Sequence, residues 1–218
     1  VLVCSGENRA SAGDNAGMRQ ALASMVGHPS YERPFGISIP AAYAMVTRRY
    51  MQKHALARED LAQVPVTTRR HAVLHPNSHM KKPITVEDVL KSREIASPLN
   101  LLDCCLLSDG AGAFIVTGAE RARDLRAKPV YLLGGGEHHT HEHLAFAEDI
   151  EHFGARESGR LAFRMAGLKP ADIDVAQLYD CFSIVPILEL EELGFCEPGE
   201  GGHFYRDGQA GLGGRMPV

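Results

Sequence analysis

The chain has 218 residues, 44% of them hydrophobic, and a formal net charge of −4. Enough apolar content is present to bury a sizeable core in one large or two small domains, while the intermixed charges leave no basic stripe to meet a phosphate backbone, so nucleic acid is excluded as an expected partner. No apolar run approaches the roughly 20 residues that span a bilayer and nothing at the start reads as a signal peptide, so no membrane span and a cytoplasmic location are expected.

In chain order, Val1 to Cys4 read as a buried strand already in progress, followed by a Gly, Ser and Asn loop. The chain stops at Gly-Gly-Arg-Met-Pro-Val with no closing element, so it reads as cut at both ends. Ser38 with Pro40 marks a helix start, and Ile39, Tyr43, Val46 and Tyr50 recur at helical spacing, predicting a helix over about 39–56. Residues 58–75 predict one or two helices broken at Pro65, and Thr85 with Asp88 predicts a capping box opening a short helix through Leu90.

The pattern changes at Ser108. Residues 111–117 predict a buried strand, 120–125 a short helix, 129–133 another buried strand and 155–167 a helix whose small face, Gly159 and Ala162, packs closely on a neighbour. Ile173 to Leu178 then reads as a strand and Ser183 to Leu193 as a helix, an alternation that argues an α/β layered fold.

Chemical candidates concentrate where that strand runs out, at Tyr179, Asp180 and Cys181. Ligands in α/β sheets bind at the carboxyl ends of strands, so polar residues there are functional candidates; capping of the next helix by Asp180 and core packing of Tyr179 are the alternatives. His138, His139, His141 and His143 have metal-binding chemistry but no distant Cys or His partner at signature spacing, so a polar surface loop and no metal are expected. Five cysteines, two adjacent at Cys104 and Cys105, argue reduced thiols. Cys4 ends an apolar strand with no basic neighbour, which favours a small core hydrophobe over a nucleophile. Cys104 and Cys105 read the same way, and Asp180 disfavours a thiolate at Cys181. The glycines at 134–136 follow a strand without forming Gly-x-Gly-x-x-Gly, and those at 199–202 and 211–214 predict loops that pass close to another backbone or a ligand.

Several stretches together resemble the thiolase superfamily, in particular its sterol-carrier-protein-linked and lipid-transfer branch. They are Leu-Leu-Asp-Cys-Cys-Leu-Leu-Ser-Asp-Gly-Ala-Gly-Ala at 101–113, Ala-Gly-Leu-Lys-Pro-Ala-Asp-Ile-Asp at 166–174, Tyr-Asp-Cys-Phe at 179–182, Leu-Gly-Phe-Cys-Glu-Pro-Gly-Glu-Gly-Gly at 193–202 and Leu-Gly-Gly-Arg-Met-Pro-Val at 212–218. The resemblance implies a layered αβαβα fold, incomplete at both ends. Residues 1–127 would finish an N-terminal half that includes a helical loop region at about 15–100, and 128–218 would begin a C-terminal half.

It further implies an acyl-CoA C-acyltransferase with coenzyme A or acyl-CoA as substrate, no tightly bound cofactor, and a homodimer or dimer of dimers. The nucleophilic cysteine and the Gly-His-Pro histidine of the family would lie outside the chain, which alone would not turn over. Tyr179 matches a position at which relatives use Asn or His to hold a water in an oxyanion hole, Phe182 matches a pocket phenylalanine, and Asp180 matches an acid that fixes the local backbone. Phe35, Gly36, Gly134 and Gly135 are placed by rough alignment against the substrate. Tyrosine at this position also occurs in thiolase-like retro-aldolases that cleave β-hydroxyacyl-CoA, and a non-catalytic lipid or acyl-CoA binding protein is the alternative outside enzymes.

Overall fold

In the computed structural model, which describes residues 1–11, 17 and 27–218, helices dominate and two small antiparallel sheets accompany them. Helix α1 spans Ile39–His54 for the reason its sequence announces: the Ser38 hydroxyl accepts the Ala41 amide at 3.4 Å, and Pro40 sits in the first turn, where a missing N–H costs nothing. The helix buries Ala44, Val46, Thr47 and Tyr50. Helix α2, Arg58–Leu74, runs straight through Pro65, so the expected break does not occur. An interior proline costs a helix about 3 kcal/mol. Here Leu61, Ala62, Val64 and Val66 are all buried, and their packing outweighs that cost.

Helix α3, Val86–Lys91, opens on the expected capping box, with the Asp88 amide 3.1 Å from the Thr85 hydroxyl and the Thr85 amide 2.8 Å from the Asp88 carboxylate. Strand β1, Leu2–Asn8, pairs antiparallel with β4, Asp109–Ile115, placing Cys4 opposite Ala113. Strands β2, Glu94–Ala96, and β3, Leu99–Asn100, form the second sheet. The burial expected of residues 1–4 and 111–117 is not found: β1 and β4 pair with each other alone, nothing among the described residues covers either face, and Cys4 is exposed rather than a core hydrophobe. Residues 129–133 and 173–178 likewise form no strand, because an extended run becomes one only through a ladder partner. Val130 and Leu132 are almost fully exposed, whereas Ala176 is buried and donates its amide to Pro217 O at 3.0 Å.

Helix α4 spans Ala119–Arg123 and α5 spans Ala155–Ala166. The small face of α5 does pack closely, since a Cβ at Gly159 would stand 2.5 Å from Leu193 Cδ2. Helices α6, Ile184–Glu192, and α7, Gly201–Arg206, complete the chain order; Gly201 and Gly202 therefore open a helix instead of lying in a loop, though the expected close approach holds. A Cβ at Gly201 would meet the Ile187 carbonyl oxygen at 2.7 Å. The main core lies where α1, α2, α6 and α7 meet, and Tyr50, Leu61, Leu99, Ile184, Ile187 and Leu190 are fully buried in it. Each such aliphatic side chain contributes about 1.5–3 kcal/mol relative to an exposed one.

Candidate functional site

The segment 179–183 crosses from the extended run into α6 and is pinned from one side by residues 103–105. The Cys105 amide donates to Cys181 O at 2.9 Å, the Ser183 amide donates to Asp103 O at 3.0 Å, and Cys104 bridges Phe182 antiparallel. Asp103, almost wholly buried, organises this anchor. Its carboxylate pairs with Arg58 and accepts the Ser183 hydroxyl at 2.9 Å and the Asn100 amide at 2.9 Å.

On the other side of the segment lies a largely apolar cavity of about 400 Å³. Ile39, Tyr43 and Val46 of α1 form one wall and Val185, Leu188 and Glu189 of α6 another, with Tyr179 at the edge. A third wall is the loop pair 27–37 and 141–150, held together by Glu32, whose carboxylate accepts the His28 amide at 2.7 Å and the Ala145 amide at 2.6 Å. Burial raises the Glu32 carboxyl, but those two amides together with the neighbouring His143 and His28 outweigh it and hold the group below its usual range. His141 and His143 turn toward the cavity while His138 and His139 stay on the surface, and no group of three or more metal-ligating side chains converges among the described residues.

Tyr179 is 66% exposed and its phenol is raised above the ordinary value, first by the neighbouring Cys181 sulfur and then by partial burial. Tyr43 is pushed up further, chiefly by burial. Both phenols therefore stay protonated at neutral pH, and each single O–H, directed to the Cys181 sulfur in this structure, is a donor that can turn to an oxyanion. Cys181, buried between them, is raised by burial against the hydrogen bonding of both phenols. Burial also raises Cys105, and lifts Cys104 to about 11 and Cys196 to about 12, so these four thiols remain protonated.

Phe182 is buried and stacks on Tyr43 with ring centroids 4.4 Å apart, behind the cavity wall and not on it. Asp180 is exposed, makes no hydrogen bond among the described residues and does not cap α6; the helix begins at Ile184, with Ser183 at the cap position. It borders a second cavity of about 350 Å³ with Cys104 and Cys105. Phe35 is exposed, Gly36 adopts a left-handed φ of 72° after a short helical turn, and neither lines the cavity. Gly134 packs on α5, where a Cβ would stand 2.2 Å from Ala162 O, whereas a Cβ at Gly135 meets nothing within 4 Å.

Sequence reasoning missed Glu189. The Tyr179 amide donates to its Oε2 at 2.9 Å. Burial, offset by that hydrogen bond and reinforced by Asp180, raises the carboxyl to about 7. The available signal was one acid interrupting the apolar run Ile-Val-Pro-Ile-Leu-Glu-Leu at 184–190.

Residues 136–218 match the family model described as thiolase C-terminal domain-like. An acetyl-CoA acetyltransferase of Methanothermobacter thermautotrophicus is 40% identical over 86% of this chain and 49% of its own length. A 17-hydroxy-3-oxo-4-pregnene-20-carboxyl-CoA lyase of Mycobacterium tuberculosis is 42% identical over 87% of this chain and 51% of its own. A solved structure titled Ltp2-ChsH2(DUF35) aldolase superposes with a TM-score of 0.87 at 36% identity, over 99% of this chain and 57% of that one. The chain thus spans about half the length of the curated relatives it matches.

Proposed function

Because the chain belongs to the thiolase superfamily, we propose that the protein carrying it is an acyl-CoA C-acyltransferase that makes or breaks a carbon–carbon bond beside a thioester carbonyl. Tyr179 donates a hydrogen bond to the enolate oxygen. The observation that carries this reading is a phenol, kept protonated, at the edge of an apolar cavity where an extended run gives way to a helix. A single donor of this kind stabilises the transition state by about 3–4 kcal/mol.

Phe182 supports the site from behind through Tyr43. Phe35, Gly36, Gly134 and Gly135 lie off the cavity wall, so contacts from them would hold the coenzyme A end of the substrate, not the acyl end. No tightly bound cofactor, a homodimer or dimer of dimers, a cytoplasmic location and a division between the two thiolase halves near residue 127 complete the proposal. Sedimentation of the intact protein checks the oligomer.

Retro-aldol cleavage of a β-hydroxyacyl-CoA is the second reading. It is favoured by the phenol at Tyr179 and by the lyase and aldolase among the relatives. Incubating the intact protein with a 3-oxoacyl-CoA plus free coenzyme A, and separately with a β-hydroxyacyl-CoA alone, decides between them. Thiolysis products in the first assay support acyl transfer. A ketone or aldehyde released in the second supports the aldolase, and turnover in neither leaves a binding protein.

A further inference from the structure

We infer that Glu189 carries the proton to and from the α-carbon of the thioester beside Tyr179, an inference that rests on the enolate chemistry proposed above. One carboxylate oxygen accepts the Tyr179 amide at 2.9 Å, which fixes the acid relative to the residue that holds the enolate oxygen. Its other oxygen has no hydrogen-bond partner among the described residues, and Glu189 borders the same cavity as Tyr179. An acid with one oxygen tethered and the other unengaged is arranged as a positioned base.

The surroundings leave this role to Glu189. From α1 it faces the Tyr43 phenol, from the approaching segment Tyr179 and the Asp180 carboxylate, and from α7 the Tyr205 phenol, and all three phenols are raised. Across the cavity, Glu32 is occupied by two backbone amides, and His141, Glu142 and His143 belong to the loop opposite. Neither Lys nor Arg lines the cavity among the described residues, so nothing there holds Glu189 permanently ionised. Burial brings its carboxyl to about 7, where both protonation states are populated at neutral pH.

In the step itself the Glu189 carboxylate takes a proton from Cα. The C–H electron pair becomes the Cα–C1 double bond, and the carbonyl π pair moves onto the oxygen that Tyr179 holds. The reverse step returns the proton to Cα and regenerates the carboxylate. Carbon–carbon bond formation needs the forward step, and thiolytic or retro-aldol cleavage the reverse one, so the assignment serves either reading.

The test is α-hydrogen exchange of acetyl-CoA in D₂O, followed by mass spectrometry with the intact protein and no second substrate. Wild type should exchange with a rate that rises through an inflection near pH 7. Glu189→Gln should slow exchange at least about 100-fold and remove the inflection, with acetyl-CoA affinity retained, and Glu189→Asp should restore part of the rate with a displaced inflection. Exchange by Glu189→Gln within about twofold of wild type overturns the inference. Where neither variant folds by circular dichroism, the wild-type profile decides, and a flat profile from about pH 6 to 8 overturns it. Exchange lost in Tyr179→Phe but kept in Glu189→Gln removes this inference alone; no exchange by wild type at any pH removes the enolate reading with it.

Discussion

The backbone amide of Tyr179 donates to the Glu189 carboxylate at 2.9 Å, joining the end of an extended run to the helix that follows it. With Asp103 holding Ser183 and Cys105 holding Cys181, the segment that presents Tyr179 is tied on both sides. A backbone fixed in this way limits where its side chain can stand relative to a bound thioester.

The raised acid gives stability a definite pH dependence. The folded state keeps a proton on Glu189 up to about 7, while the unfolded chain releases it near its ordinary 4.5. That contribution is fully present below the unfolded value and is lost as pH rises through the folded one. Between pH 5 and 8 the melting temperature of wild type should fall by a few degrees relative to Glu189→Gln, read by parallel thermal melts; superimposable pH dependences contradict the assignment.

Two adjacent glycines separate packing from binding. Gly134→Ala drives a Cβ into the Ala162 carbonyl and should cost about 1–3 kcal/mol in urea unfolding, whereas Gly135→Ala meets nothing and should leave stability within about 0.5 kcal/mol. A drop in coenzyme A affinity in Gly135→Ala, without loss of stability, would support its proposed substrate contact, and unchanged affinity counts against it.

Asp103→Ala removes the partner of Arg58, Ser183 and Asn100 from a buried position. Breaking a buried pair in this way costs about 3–5 kcal/mol. Chemical denaturation should show that loss, accompanied by a fall in kcat because Tyr179 loses its anchor; an effect below about 1 kcal/mol would mean that water replaces the network.

Charge on the acyl group should discriminate strongly. The cavity carries three acids, Glu32, Glu142 and Glu189, against two histidines, His141 and His143, and neither Lys nor Arg among the described residues. A hydrocarbon acyl-CoA should therefore exceed an ω-carboxylated one of equal length by at least about tenfold in kcat/KM, since an unpaired carboxylate is costly to desolvate. Equal efficiencies would place the acyl chain elsewhere.

What the sequence made legible, and what it did not, follows from the range of the interactions. The start of α1 and the box at Thr85 were readable because caps are set within four residues. Pro65 misled because the packing that carries α2 past it comes from elements distant in sequence. Residues 129–133 and 173–178 have strand composition, yet a strand exists only with a partner, which composition does not report. Tyr179 was found from its place before α6, but Tyr43 and Glu189 became site residues only once the helices were packed.

The most direct measurement is the steady-state kinetics of the intact protein with Tyr179→Phe, alongside acyl-CoA affinity by calorimetry. Loss of the single phenolic donor should lower kcat about 100- to 1000-fold and leave the dissociation constant nearly unchanged. An unaltered kcat in a folded variant would contradict the account and remove Tyr179 from the chemistry.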